Sequence, residues 1–333
     1  MRRWINRPKG SNWGDFGDDD QIGRMNLITP ALRRAAIAEV REGLAFTLSL
    51  PLDVPHVAFA PFRQPPQLSA ASDADGDMFH RYDDGSDEAT CDDRVTLHTQ
   101  HSTQWDALSH RGRRFDADGD GAAELVYYNG FRAHDHIAGP TGATHATQAN
   151  ALGIETLAVT GVQGRGVLVN LMAVHGGDSR AVGYDDLLRA MDKQRVEVGS
   201  GDFLLLYTGF DRVLLDWHAR RDTVPLQTRC CALDGGDARL LQWIVDSGIV
   251  AICSDNIAVE SLLPMLSPNP PAIHLPIHDL CLFKQGIFLG ELWYLEALAA
   301  WLLAHERHAF LLTAPPLRLP GAVGSPVTPV ATV

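Results

Sequence analysis

Short apolar runs alternate with amphipathic segments along the second half of the chain. Nearly continuous apolar runs of this length are typical of strands buried on both faces, and they cover residues 166–171, 203–207 and 250–253. Apolar residues recur at helical spacing in other segments, which are residues 183–194, 211–218 and 237–247. This alternation of strand and helix predicts an α/β domain.

The first half of the chain predicts more strand and loop than helix. Residues 46–52 alternate like a strand, whereas residues 30–43 have helical spacing after Thr29, a predicted N-cap. Residues 61–93 are rich in Pro, Asp, Ser and Gly, which predicts a long loop or lid. Residues 315–333 form a Pro-rich tail that we expect to be disordered or to lie on a neighbouring subunit. Because the chain lacks an internal repeat, we predict a single domain over residues 1–333.

Composition excludes several classes of protein. The 333 residues are 45% hydrophobic and 21% charged, which is ordinary for a globular protein. A net charge of −13 argues against nucleic acid and anionic membranes as partners, because both need clustered Lys and Arg. The sequence predicts neither a transmembrane helix nor a signal peptide. Five cysteines without a Cys-x-x-Cys pair indicate reduced thiols in a cytoplasmic protein.

Side chains that can bind a metal or move a proton are densest at residues 99–110. The segment follows β-branched residues and has few helix formers, so it predicts a strand that ends in a turn, where a rigid scaffold can present ligands. Its candidate site residues are Gln100, His101, Ser102, Thr103, Gln104, Trp105, Asp106 and His110. Asp106 alone could cap a turn, but the density of polar neighbours favours a metal ligand.

This segment resembles the signature His-x-Gly-Thr-His-x-Asp-x-Pro-x-His of the cyclase family of metal-dependent hydrolases, which includes bacterial kynurenine formamidase and isatin hydrolase. Thr103, Asp106 and His110 match the signature. The signature's first His, its Gly, its second His and its Pro are replaced by Gln100, Ser102, Gln104 and Leu108. Both replaced His bind metal in the better-known members, so kynurenine formamidase activity itself is not expected.

Further segments resemble the same family in the same order along the chain. They are residues 12–30, the strand and Thr-Gly of residues 201–209, the Asp-x-x-x-Val-Glu of residues 255–260, and His278 followed by Glu291. The resemblance runs from about residue 12 to about residue 303. It implies a single-domain swivelling β/β/α fold with a mainly β core flanked by helices, assembled as a homodimer or homotetramer.

The resemblance implies that Asp106, His278 and Glu291 hold a divalent metal, with Gln100 and Gln104 as further candidate ligands. A Gln carbonyl is a neutral oxygen ligand that suits Ca, Mg or Mn better than Zn. The site is therefore either tuned to a harder ion or lowered to one metal, or it has lost that metal subsite and both Gln bind substrate through hydrogen bonds. We expect one retained metal, Mn or Zn ahead of Mg or Ca, while a metal-free site stays an alternative.

The implied activity is hydrolysis of a non-peptide C–N or ester bond in a small amide, lactam or lactone by metal-activated water. The candidate catalytic residues are His110, His278 and Glu291, with His110 or a nearby carboxylate passing a proton. Otherwise His110 is a ligand of a second metal subsite. The candidate substrate contacts are His101, Ser102, Thr103, Trp105 and Tyr128, with the two hydroxyls on the oxyanion and Trp105 stacked on a ring. One alternative is a cyclase or dehydratase that uses the same pocket, and another is a metal-free binding protein on this fold.

Overall fold

A computed structural model describes residues 2–82, 85–140 and 146–333. The strands are β1 Ala45–Thr47, β2 Gln67–Ala70, β3 Ser72–Asp73, β4 Gly76–Asp77, β5 Phe79–Tyr82, β6 Ala89–Cys91, β7 Asp93–Thr96, β8 Gln104–Asp106, β9 Arg113–Phe115, β10 Glu124–Val126, β11 Ile137–Ala138, β12 Gln148–Ala149, β13 Gln163–Asn170, β14 Arg180–Val182, β15 Phe203–Tyr207, β16 Cys231–Leu233, β17 Ala251–Ser254, β18 Phe288–Glu291, β19 Ala309–Thr313, β20 Gly324–Pro326 and β21 Val330–Thr332.

The helices lie mostly in the second half of the chain. The α-helices are α1 Pro30–Ile37, α2 Ile154–Val159, α3 Met172–His175, α4 Tyr184–Gln194, α5 Phe210–Ala219, α6 Ala238–Ser247, α7 Pro276–His278 and α8 Glu296–Ala304. Two 3₁₀ turns cover Gly23–Leu27 and Tyr128–Gly130, and a π-helical segment covers Asp279–Gln285. Within the described ranges, no helix is long and apolar enough to cross a membrane.

A mixed sheet of nine strands forms the core, in the order β1-β21-β19-β13-β15-β17-β18-β8-β20. The four inner strands β13, β15, β17 and β18 run parallel, and the strands on either side of them pair antiparallel. All five residues of β15 are buried, which explains why its sequence is continuously apolar. The predicted α/β class, with a β core flanked by helices, is confirmed.

The predicted helices in the second half form where their spacing places them, as α4, α5 and α6. The Asp237 carboxylate caps α6 by accepting from the backbone nitrogens of Arg239 and Leu240, and Gly248 ends it in the left-handed conformation. Thr29 caps α1 as predicted, with its side chain accepting from the Leu32 nitrogen. However, α1 ends at Ile37, earlier than the spacing indicates.

The prediction that residues 315–333 form a tail that is disordered or lies on a neighbouring subunit is wrong, because this segment belongs to the central sheet. β20 pairs with β8, and β21 lies between β1 and β19. Ala331 and Val333 are fully buried. A Cβ atom added to Gly324 would lie 2.7 Å from the Gln100 Cγ, so the tail also packs against the candidate site. Strands of three residues are stabilised by ladder hydrogen bonds and leave too short a pattern to show periodicity.

Residues 61–93, predicted as a loop or lid, contain short strands. β2 pairs with β7, β3 with β4 and β5 with β6, and we call residues 67–96 the arm. Most of its side chains are exposed, as the polar composition indicates. The strands were not predicted because they pack against little else, so their faces show no apolar alternation. Residues 83–84 of the predicted loop lie outside the described residues, and a lid role stays a prediction.

Candidate metal centre

Asp106, His278 and Glu291 meet in the interior at one edge of the parallel strands. β8 runs antiparallel to β18, with Gln104 opposite Glu291 and Asp106 two residues further along the same face. His278 ends α7, which begins at Pro276. The His278 Nε2 lies 3.3 Å from the Glu291 Oε1 and 3.9 Å from the Asp106 Oδ2. One ligand atom from each of the three residues lies within 4.8 Å of the others, so they form one candidate metal cluster.

Glu260 orients the imidazole of His278 although it was not predicted as a site residue. Its Oε1 lies 2.8 Å from the His278 Nδ1 and accepts from the His278 backbone nitrogen at 2.9 Å, while its Oε2 accepts from the Ile277 nitrogen at 3.0 Å. A proton on Nδ1 leaves Nε2 directed at the cluster. The sequence signal that could have identified Glu260 was a carboxylate in a mostly apolar segment that follows a buried strand.

The two Gln side chains direct their amide nitrogens at the carboxylates. The Gln104 Nε2 donates to the Glu291 Oε2 at 2.9 Å and to the Asp106 Oδ1 at 3.4 Å. The Gln100 Nε2 also donates to the Asp106 Oδ1, and it lies 3.1 Å from the His110 Nδ1. In this amide orientation both Gln side chains act as hydrogen-bond donors to the carboxylates. Metal ligation by the oxygens of Gln100 and Gln104 therefore stays a prediction.

Burial and charge shift the protonation of the cluster. Burial and then the negative charge of Asp106 raise the pKa of Glu291 to about 7, although the contact with His278 lowers it. Burial opposes the charged form of His278, but hydrogen bonds and charges from Glu260 and Glu291 prevail and raise its pKa to about 10. Burial lowers the pKa of His110 to about 4 against the pull of Asp106, so its ring is neutral at pH 7.

The cluster fits a divalent cation. Among the described residues, the Asp106 Oδ2 and the Gln104 Oε1 are buried without a hydrogen-bond partner. An unpaired buried carboxylate oxygen is unfavourable, and a cation held by Asp106, His278 and Glu291 would satisfy it. Two carboxylates and one imidazole form a mixed oxygen and nitrogen donor set that suits Mn or Zn better than Ca.

A cavity of about 510 Å³ opens beside the cluster, and this volume is within the range of small-molecule sites. Gln100 and His101 line it, and Gln100 also contacts Asp106. Of the predicted substrate contacts, His101 therefore lies at the pocket, where its Nε2 is 2.9 Å from the Pro55 carbonyl oxygen. We call this cavity the pocket.

The structure corrects four of the predicted substrate contacts, which are Ser102, Thr103, Trp105 and Tyr128. The Ser102 hydroxyl donates to the Pro51 carbonyl, and the Thr103 hydroxyl donates to the Leu292 carbonyl. The Thr103 oxygen also accepts from the Leu50 nitrogen at 2.9 Å. Both hydroxyls therefore bind backbone and anchor the segment beside β8, so neither is positioned as an oxyanion donor.

Trp105 and Tyr128 are core residues rather than walls of the pocket. Both are fully buried. Successive strand residues point to opposite faces, so Trp105 points away from Asp106, and its indole donates to the Ala314 carbonyl at 2.8 Å. The Tyr128 hydroxyl donates to the Asp20 carboxylate at 3.2 Å. An aromatic residue beside a site motif does not by itself indicate a stacking role.

Comparisons with known proteins agree with this architecture. The family model described as "Putative cyclase" matches residues 46–261. A solved structure described as a novel cyclase is 33% identical, with a TM-score of 0.78 and 97% of each chain covered. No curated protein matches the chain.

Isatin hydrolases share the fold at lower identity. One, solved with the product analogue thioisatinate, is 16% identical with a TM-score of 0.56, over 92% of this chain and 99% of that chain. Isatin hydrolase A from Ralstonia solanacearum is 16% identical with a TM-score of 0.57, over 91% of this chain and 95% of that chain.

Proposed function

Because the chain belongs to the cyclase family, we propose that it is a metal-dependent hydrolase of a small amide, lactam or lactone. The observation that carries the proposal is the buried cluster of Asp106, His278 and Glu291, with an unpartnered Asp106 oxygen beside a pocket of ligand size. The fold shared with isatin hydrolases supports a cyclic amide as the first substrate to test.

In the proposed mechanism, some side chains of the site bind the cation and another transfers a proton. Asp106, His278 and Glu291 would hold it, and Glu260 fixes the His278 ring. A divalent cation supplies Lewis acidity, which lowers the pKa of water and polarises a carbonyl. We propose that His110 moves a proton. In support, its Nδ1 lies 3.1 Å from the Gln100 Nε2 and its Nε2 lies 3.9 Å from the Asp106 Oδ2. Mn or Zn is the proposed ion, since imidazole suits them better than Mg or Ca.

Elemental analysis of the purified full chain, before any metal is added, tests the proposal. We expect about one Mn or Zn per chain in the wild type and in the exposed control Asp135→Ala, and its loss in Asp106→Ala. Absence of metal from the wild type would overturn the proposal. His110→Ala should keep the metal and lose at least about a hundredfold in turnover of isatin or a related lactam.

The two Gln side chains favour one alternative function, a metal-free binding protein. Their amide nitrogens already donate to Asp106 and Glu291, which partly satisfies these carboxylates without a cation. Ligand binding by a wild type that contains no metal would support this alternative. A cyclase or dehydratase is separated from a hydrolase by incorporation of ¹⁸O from labelled water, which only hydrolysis requires.

A further inference from the structure

The pocket is lined mostly by apolar residues, with a smaller number of polar side chains that include Gln227 and Thr228. The residues that form its apolar walls include Phe59, Ile257, Leu262, Met265, Leu266 and Leu292. Arg63 is the one lysine or arginine among the described residues that line it. A half-buried arginine in an apolar wall is unusual, because its charge is unfavourable there without a partner.

The guanidinium of Arg63 has no carboxylate within ion-pair distance in the part of the chain that the structure describes. Its Cζ lies 5.8 Å from the centroid of the Phe62 ring. Arg113, by comparison, has an acidic partner, because its guanidinium lies 3.2 Å from the Asp279 carboxylate. In a chain of net charge −13, an arginine without an acidic partner is available for an anion from outside.

The backbone holds Arg63 next to the cluster. Its nitrogen donates to the Ala60 carbonyl at 2.9 Å, and its own carbonyl oxygen lies 3.3 Å from the His101 Nδ1. His101 is adjacent to Gln100, which contacts Asp106. Arg63, Gln100 and His101 line the same pocket, so Arg63 and the cluster lie beside one cavity.

We propose that Arg63 binds an anionic group of the substrate while an apolar body fills the pocket and the scissile carbonyl lies at the metal cluster. The substrate class is then an apolar amide, lactam or lactone that carries a carboxylate. A guanidinium matches a carboxylate with two parallel hydrogen bonds between opposite charges, and a neutral isostere lacks the negative charge of this pairing. The inference rests on the proposed function for the position of the reacting carbonyl.

Calorimetric titration with two probes of the same apolar body tests the inference. The probes are 2-naphthalenesulfonate and the neutral methyl 2-naphthyl sulfone, because a sulfonate is a weak ligand for Mn and Zn. We expect the wild type to bind the sulfonate about tenfold or more tightly than the sulfone. Arg63→Gln should lose this preference and bind the two probes with similar affinity. The exposed control Arg114→Gln should behave like the wild type.

Three results would overturn the inference: equal binding of the two probes by the wild type, a preference that survives in Arg63→Gln, or no binding of either probe. The titration involves no turnover, so its outcome is separate from the metal analysis that tests the hydrolase. A sulfonate preference in a protein without metal would support the anion site and overturn the hydrolase. A wild type that contains metal but shows no sulfonate preference would support the hydrolase and overturn the anion site.

Discussion

Glu260 contributes to the candidate site through the orientation of another side chain. Its carboxylate accepts from the His278 ring and from two successive backbone nitrogens, those of Ile277 and His278. A single buried carboxylate therefore fixes both α7, which precedes the π-helical segment, and the direction of the His278 Nε2. A glutamine has one accepting oxygen, so it cannot replace all of these contacts.

We expect Glu260→Gln to weaken metal binding about 10–100-fold, because the His278 ring loses its fixed orientation and a charge that increases its basicity. Competition with a chelating dye, on protein stripped of metal, measures the dissociation constant. Circular dichroism would establish that the variant is folded, and the exposed Glu42→Gln serves as the matched control. Equal dissociation constants for the wild type and Glu260→Gln would contradict the orienting role.

Sequence reasoning located the candidate cluster better than it assigned the neighbours of Asp106. The spacing of the motif placed Asp106, and the resemblance added His278 and Glu291, which the fold brings together. The direction of each side chain depends on strand register, which composition does not reveal. Trp105 was misassigned for this reason. It lies between Gln104 and Asp106, which face the cluster, and it points to the opposite face of β8.

At the scale of elements, a close contact between two glycines sets the path from His278 to Glu291. The π-helical segment ends at Gly286, whose φ of 57° is in the left-handed region. A Cβ atom there would lie 2.6 Å from the Gly23 Cα and 2.8 Å from the Tyr128 Cζ. The Arg24 nitrogen donates to the Gly286 carbonyl at 2.8 Å. The backbone approaches this closely only because both residues lack a side chain.

Gly286→Ala should lower the free energy of unfolding by more than its φ alone requires, because the methyl group also forces the two backbones apart. A left-handed φ costs a non-glycine residue about 1–2 kcal/mol. Gly43→Ala isolates that cost, since Gly43 has a φ of 71° and nothing within 4 Å of its added Cβ. Urea unfolding compares the two variants. Equal losses of stability would show that the glycine contact is not restrictive.

The elements that the sequence predicted well are those with long, strong patterns. Buried β15 and the amphipathic α4 and α6 have patterns that extend over at least five residues, so their type follows from period and length. β20 and β21 have three residues each and were missed. Their pairing depends on partners that are distant in sequence, and a local pattern carries no information about such partners.

At the scale of the whole molecule, the described residues of the arm contribute nothing to either hydrophobic core cluster. It consists of two-stranded pairs, which are marginally stable alone. Leu68 on β2 lies opposite Val95 on β7, and they are 70% and 48% exposed. Directly opposed residues of an antiparallel pair share one face, so these two form an apolar patch. Such patches mark interaction sites, and a second copy of the chain is the partner that the predicted homo-oligomer supplies.

We expect the full chain to be a dimer or tetramer in solution and Leu68→Asp to shift it toward monomer, because a buried unpaired charge opposes association. Size-exclusion chromatography with light scattering, over a range of concentrations, measures the mass. Val159→Asp is the matched control, since Val159 is 66% exposed on α2, outside the arm. A monomeric wild type would contradict the predicted assembly. An oligomer that both substitutions leave intact would place its interface outside the arm, because a charge at the centre of a buried apolar contact cannot be neutral in effect.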